Sequence, residues 1–571
     1  LTPDIPTEPA RGLFAPLDAL DPDLFAVLLR ETAKVTPQPV IDKTAGLLEL
    51  RLAAPLLQEL HGSGVRRVAL AGLGPGLDDL LRSGLLDGFE LVAAHSANGG
   101  EQLFAYARGH LGVLPLAALA ESGAEAVLVT DPALEAQARQ LHPRVLALPA
   151  LAQDRALRLF LPATRRRFPE VFAQLEAQAT ATLDAAFEPG KTVLFAGIYA
   201  YFNFNRMSTA LRARGLRTVF LCLNPSNAQF RDNAFDAVVH AGSDMDLFYR
   251  LLTRHAYRCV HFQAWLGLHV FAAAAARLAT SPFVAEMNDI PQFVLTRAHF
   301  DAAFGPGQHE QECACVDTVI DHADALILNA LPEAAPELTA HAGRQGKLFS
   351  FHSYPSPEHF PARPAQGCAR PYRLGFAGSV NPSSHPDAVF GDVKLLGLIG
   401  ELIAQDLEFH LFFNPFQKLD PQGVFWDYFH QQALNPRLRL RQGISPAALA
   451  GELAQLHYGS MLYRIPAVFH IRAEHFRYMM PTKFFTYLEA GLPVLVSEEL
   501  QGIAGLVRRH GLGLVVPAAD IPRLGQLLDA ADHARLQANV LAYREAHSMP
   551  RMLDELLAIY DHARAARRQH S

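Results

Sequence analysis

Lys483 stands two residues after Pro481, at the head of the stretch MMPTKFFTYLEAGLPVLVSEE, residues 479–499. Proline favours the first turn of a helix, where backbone N–H groups point outward and the helix dipole is positive. A lysine at that end makes an anion clamp of a size that suits a diphosphate. Gly491 closes the helix, and PVLVS then enters a sheet as a buried strand. Arg464, which follows the strand GSMLY, is a second candidate cation. Gly378 and Ser379 end the strand YRLGFAGSV, and Gly443 ends LRLRQG. A glycine there lets backbone approach a ligand, and a serine adds a donor. The plainer readings are a surface lysine, an ordinary strand-end turn and an arginine paired with a carboxylate.

A second group lies earlier in the chain. Asn288 and Asp289 follow the strand FVAEM, where a carboxylate can orient or deprotonate a hydroxyl. The alternative is an Asx turn. The loop GIYAYFNFNRMS, residues 197–208, brings Tyr199, Asn203, Asn205 and Arg206. Aromatic and amide groups of this kind suit sugar or acceptor recognition, or they pack a strand-to-helix loop. His261 in VHFQ reads as a core histidine.

The elements that must hold these residues recur in one order, a short apolar strand, a glycine turn, then an amphipathic helix. That alternation predicts parallel sheets covered on both faces. VRRVALAGLGPGLDDLL opens the first block, with FELVAAHS, AEAVLVTDP and PRVLALP as further strands. A helix is expected around residues 21–34, and TRRRFPEVFAQLEAQATATLDAAFEPG reads as a charged connecting helix. KTVLFAGI starts a second block and YRLGFAGSV a third, separated by the proline-rich PSPEHFPARPAQGCARP. The last stretch, SMPRMLDELLAIYDHARAARRQHS, has helical spacing.

The totals set limits. The 571 residues are 50% hydrophobic and carry a net charge of -7, which argues against a general nucleic-acid binder. Five cysteines, Cys222, Cys259, Cys313, Cys315 and Cys368, suggest free thiols in a reducing compartment. The Cys313/Cys315 pair has no second pair at zinc spacing, so no metal is expected. The apolar run at 264–276 is too short to span a bilayer, and the opening LTPDIPTEPARG has no signal-peptide pattern. The expectation is a cytoplasmic protein whose membrane contact is no more than peripheral, at the inner face. Arg564, Arg567 and Arg568 are too few to make a lipid site on their own.

The order of LGFAGSV, RLRQGIS and PTKFFTYLEAGLPV resembles the second domain of the retaining GT-B glycosyltransferases, family 4 above all. CVHFQAW, FVAEMNDIP and HADALILNA resemble strand segments of that family's first domain. The resemblance covers about residues 190–571 and is concentrated in PTKFFTYLEAGLPV. It implies an α/β fold with two Rossmann-like domains facing a cleft, and a nucleotide-sugar donor held by the second. Lys483 would neutralise the leaving diphosphate, with help from Arg464, and no metal or other cofactor would be needed. The acceptor would be a glycan, a lipid carrier or a protein. One departure stands out: where the family carries a Glu-x7-Glu pair, this chain has Tyr478 and Thr486. Glu489, about one helical turn beyond Thr486, either takes over a ribose contact or is a helix-surface acid.

With that resemblance the chain divides into a helical and coil segment (1–45), a Rossmann-like accessory domain (46–163), a connecting helix (164–189), an acceptor domain (190–366), a donor domain (367–547) and a final helix crossing back (548–571). In the accessory domain, GLGPG lacks the third glycine of a dinucleotide turn, and His95-Ser96 stand where an acidic ribose ligand belongs. That domain reads as an accessory or oligomerisation module, with an NAD site as the alternative. Two rivals to glycosyl transfer remain. One is a GT-B nucleotide-sugar epimerase, which would need acidic and histidine residues around the anomeric centre. The other is an inactive nucleotide-binding scaffold.

Overall fold

The computed structural model describes residues 20, 24, 28, 53, 56–72, 80–81, 85–97, 102–106, 109–148, 169–197, 202–223, 234–241, 245–329, 346–361, 367–385, 391–414, 417, 422–441, 444, 446–465 and 469–570. Three sheets follow one another along the chain. The first contains β1 (Arg67–Ala71), β2 (Glu90–Ser96), β3 (Gln102–Tyr106), β4 (Gly109–Pro115), β5 (Ala126–Val129) and β6 (Val145–Ala147). Its order is β3-β4-β2-β1-β5-β6, parallel except for the β3/β4 hairpin. That hairpin was not expected from the sequence. QLFAY and GHLGVLP are short, and two glycines interrupt the second, so neither shows a sustained strand pattern.

The second sheet is built from β7 (Thr192–Gly197), β8 (Arg217–Cys222), β9 (Ala237–His240), β10 (Cys259–Ala264), β11 (Phe283–Met287), β12 (Ala325–Leu328) and β13 (Leu348–Ser350). Its order is β13-β12-β11-β10-β7-β8-β9, and every pairing is parallel. The third sheet holds β14 (Tyr372–Gly378), β15 (Leu407–Phe413), β16 (Leu438–Arg441), β17 (Tyr458–Met461), β18 (Val494–Ser497) and β19 (Gly513–Val516). Its order is β16-β15-β14-β17-β18-β19, again parallel throughout. Strands such as TVLFAG and CVHFQA are buried along their whole length, as strands covered on both faces must be. In each sheet the first strand lies centrally, and the strand order reverses beside it. These reversals fall between β1 and β5, between β7 and β10, and between β14 and β17. Ligands of open α/β sheets bind beyond the carboxyl ends at such switch points.

Helices named below are α1 (Pro169–Ala186), α2 (Phe202–Ala213), α3 (Ala473–Tyr478), α4 (Thr482–Ala490), α5 (His533–Ala546) and α6 (Met549–His570). Ala179, Leu183 and Ala186 of α1 pack into one face of the second sheet. Of the helix expected at 21–34, only Leu24 and Leu28 are described, both helical, and Leu28 joins that same core. The chain returns from the third sheet through α6, whose Met549, Leu553, Leu556, Ile559, Tyr560 and Ala563 bury against the other face of the second sheet. Tyr560 also meets His261 there, with its hydroxyl 2.8 Å from Nδ1, and both side chains are fully buried. All five cysteines are free thiols. Among the described residues, no helix is long and apolar enough to cross a membrane.

The second and third sheets are stitched together on the segment that follows β11. Val294, Leu295 and Phe300 are buried in the core cluster of the third sheet. Leu295 forms an antiparallel bridge with Ile471. Arg472 donates from its backbone N to Val294 O at 2.9 Å and from Nη1 to Gln292 O at 2.7 Å.

Candidate functional site

Helix α4 begins after Pro481 and ends at Gly491, as its sequence predicts. Eight of its nine residues are buried, Lys483 being the exception. It is held to the sheet by Tyr487, whose hydroxyl accepts from Ala377 N at 3.0 Å and donates to Ser460 O at 3.0 Å. This fixes the first turn over the switch point between β14 and β17. Lys483 Nζ lies 3.1 Å from the Tyr463 hydroxyl and 4.2 Å from the centre of the Phe376 ring. An alanine methyl at Gly378 would sit 3.2 Å from Nζ, so the lysine tip lies against the backbone at the end of β14. Gly378 has φ of 149, a left-handed conformation that glycine adopts without strain. Ser379 is exposed beside it and accepts from Asn414 Nδ2 at 3.3 Å. Lys483, Gly378 and Ser379 therefore share one corner of the third sheet.

Other candidates fall elsewhere. Arg464 pairs with Glu401 and donates to Ala518 O at 3.3 Å, so its guanidinium is held by an acid. Gly443 and Tyr199 lie outside the described residues. Asn203 is fully buried, with Nδ2 3.4 Å from Glu286 Oε1, and Asn205 is 6% exposed. Both belong to the first turn of α2 and are buried there, away from solvent.

Arg206, expected on the acceptor side, and Thr486 and Glu489, expected on the donor side, meet one another. Arg206 Nε and Nη2 donate to the two Glu489 oxygens at 2.7 Å each, and Nη2 reaches Thr486 Oγ1 at 3.0 Å. Ser356 N donates to Glu489 Oε1 at 2.9 Å, and Arg544 Nη1 donates to the Glu489 carbonyl at 2.7 Å. Arg206 and Glu489 are each 1% exposed. Burial alone would raise the Glu489 carboxyl, but the Arg206 charge and hydrogen bonds from His359 and Arg206 hold it at about 2. Glu489, read from the sequence as either a ribose ligand or a helix-surface acid, makes instead a dry bidentate ion pair between the two domains. Sequence spacing could not reveal it, because the partners are 283 positions apart.

Across from α4 the carboxyl ends of β10, β11 and β12 open on a cavity of about 230 Å3. Its wall on the second domain includes Trp265, Asn288, Asp289 and Asn329. On the third domain it includes Glu474, His475, Tyr478 and the first turn of α4 at Thr482. Asp289 is exposed and has φ of 49, a conformation rare for a residue with a side chain. Strained backbone of this kind clusters at functional sites. Burial lowers the proton affinity of the His475 imidazole, while the Asp289 carboxylate across the cleft pulls the other way. His475, Glu474, Trp265 and Asn329 were not singled out from the sequence. Trp265 and Asn329 directly follow β10 and β12, as Asn288 follows β11, so the rule that found Asn288 reaches them too. The six-residue α3 carrying His475 has no such signal.

Residues 411–557 match the family model described as the C-terminal domain of glucosyltransferase 3-like proteins, which spans β17, α3, α4 and α5. No curated protein matches the chain. Among solved structures, a glycosyltransferase from Rickettsia africae ESF-5 shares 10% identity over 65% of this chain and 98% of its own, with a TM-score of 0.45. AviGT4, a glycosyltransferase involved in avilamycin A biosynthesis, shares 13% identity over 66% and 98%, with a TM-score of 0.41. The S. aureus MnaA–UDP structure shares 10% identity over 64% and 95%, with a TM-score of 0.38. The fold itself is two Rossmann-like parallel-sheet domains facing a cleft, with the last helix returned to the first of them, which is the GT-B architecture, preceded by a third Rossmann-like sheet.

Proposed function

We propose that this chain is a glycosyltransferase that moves a sugar from a nucleotide-sugar donor to a hydroxyl on a glycan, lipid-linked or protein acceptor. One observation carries the reading. Lys483 lies at the switch point of the third sheet, on a helix whose first turn borders the same cavity as Asp289. The match of residues 411–557 to a glucosyltransferase-like domain supports glycosyl transfer in general terms.

The donor diphosphate would rest against Lys483, Gly378 and the N-terminal end of α4. As the bond from the anomeric carbon to the diphosphate oxygen breaks, its electron pair leaves with the nucleotide. Positive charge preorganised at that point favours the transition state over the ground state. The acceptor oxygen forms the new bond to the anomeric carbon. Its proton passes to the Asp289 carboxylate and from there to water. Retention of configuration and independence from metal are carried over from the family 4 resemblance; retention requires the acceptor oxygen to enter on the face from which the diphosphate departs, and Lys483 would supply the charge that a divalent ion supplies elsewhere.

A GT-B nucleotide-sugar epimerase is the second reading, because Asp289, Glu474 and His475 gather around one cavity. Turnover separates the two. Incubated with nucleotide sugars and hydroxyl acceptors, a transferase releases nucleoside diphosphate only as glycoside forms. An epimerase converts the nucleotide sugar without any acceptor. Asp289→Asn is expected to lower transfer kcat by about 100-fold, within the range for a general base, with nucleotide affinity kept. Unchanged kcat in that variant would remove Asp289 from the reaction.

A further inference from the structure

Two amide atoms at the cavity lack a partner among the described residues: Asn288 Nδ2 and Asn329 Oδ1, both buried. They stand side by side because of the way the sheet is built. β11 and β12 are parallel with Met287 opposite Leu328, and the two asparagines are the next residues on each strand. A buried amide atom without a hydrogen bond destabilises the fold unless a ligand satisfies it. The pair is therefore placed for a ligand that brings its own donors and acceptors. Around them the cavity has aromatic side chains, Trp265 and Tyr478, and ionisable ones, Asp289 and His475. Its volume, about 230 Å3, leaves room for one small ring. Apolar faces with a hydroxyl rim fit such a lining, whereas an acyl chain would leave both amides unpaired. Neither Lys483 nor Gly378 lines the cavity, which meets the diphosphate corner at the first turn of α4 through Thr482.

We propose that this cavity is the acceptor subsite and that the acceptor enters it as a monosaccharide unit, one pyranose ring whose hydroxyls pair with Asn288 and Asn329. The inference rests on the glycosyl-transfer reading and narrows it from any hydroxyl to a sugar hydroxyl.

Saturation-transfer NMR on the full chain tests it. The probes are methyl glycosides of glucose, galactose and N-acetylglucosamine, with a serine peptide and decyl phosphate as hydroxyl and lipid-like comparisons. At least one glycoside is expected to bind, and to bind equally when an intact nucleotide sugar is present. Asn288→Leu and Asn329→Leu are each expected to weaken that binding by about tenfold, because a site built to hydrogen-bond hydroxyls loses them. The nucleotide-induced rise in melting temperature should stay the same in both variants, which also reports that they fold. The milder Asn329→Ser serves if either leucine variant does not fold. Three results would overturn the proposal: equal glycoside binding by wild type and variants, binding only of the peptide or decyl phosphate, or exclusion of the glycoside by nucleotide sugar but not by nucleoside diphosphate. The last would assign the ring to the donor. Absence of any nucleotide-induced shift in the wild type would instead count against the glycosyl-transfer reading, and the glycoside titration would remain readable by itself.

Discussion

Gly72 follows β1 and Gly378 ends β14, so both stand beside a switch point, with φ of 111 and 149. What faces them differs. A methyl group at Gly72 would fall 2.5 Å from Asp131 Cβ and 2.7 Å from Asp131 N, and Thr130 Oγ1 donates to Gly72 O at 2.9 Å. At Gly378 the nearest group is the tip of Lys483. One switch point is closed by backbone and an acid, the other by a flexible cation. A glycine turn after a strand is therefore not enough to hold phosphate. The sign and softness of its neighbour decide, and they favour a diphosphate at the third sheet and disfavour one at the first.

The largest way to break the comparison is to release the domain that carries the cationic switch point. Arg206→Ala or Glu489→Ala leaves a buried charge alone, and each is expected to cost about 3–5 kcal/mol in urea unfolding. Replacing both with apolar residues of similar volume should recover most of that loss. Next come the glycines themselves. Gly72→Ala drives a methyl into backbone and should destabilise the first sheet by about 3 kcal/mol. Gly378→Ala meets the end of the flexible lysine side chain, with the Phe376 ring at ordinary contact, and should cost about 1 kcal/mol, while weakening nucleotide binding. Calorimetry that found the two equal would remove the contrast.

A smaller effect comes from pH. Burial lowers the His352 imidazole to about 4, and burial followed by the Arg373 charge does the same to His457. Between that value and an ordinary pKa of about 6.5 the unfolded chain binds more protons than the folded one. Their contribution is complete above about pH 6.5 and is lost as pH falls toward 4. Each imidazole should cost about 2 kcal/mol between about pH 7 and about pH 5. Melting curves of His457→Gln should show a shallower fall over that range.

The fold was legible because each parallel strand is a short apolar run bounded by turn residues. PTKFFTYLEAGLPV was legible because proline, lysine and glycine each answer a local backbone or charge requirement. Arg206 was legible in the loop after a strand and Glu489 on the helix that Gly491 closes, but not as partners, since an ion pair between domains leaves no spacing. His475 lies on a short helix and gains its place only when the bridge from Leu295 to Ile471 brings the domains together. The hairpin of β3 and β4 escaped notice because it adds an antiparallel edge to an otherwise parallel pattern.

The central claim is that the lysine corner of the third sheet binds a nucleoside diphosphate. A thermal-shift panel with UDP, GDP, CMP and their common sugar conjugates, run on wild type and Lys483→Ala, tests it directly. A ligand at about 100 times its dissociation constant stabilises the native state by about 2.7 kcal/mol. One nucleotide should raise the wild-type transition, and the lysine variant should lose most of that rise. A shift that survives Lys483→Ala intact, or no shift with any nucleotide, would contradict the account.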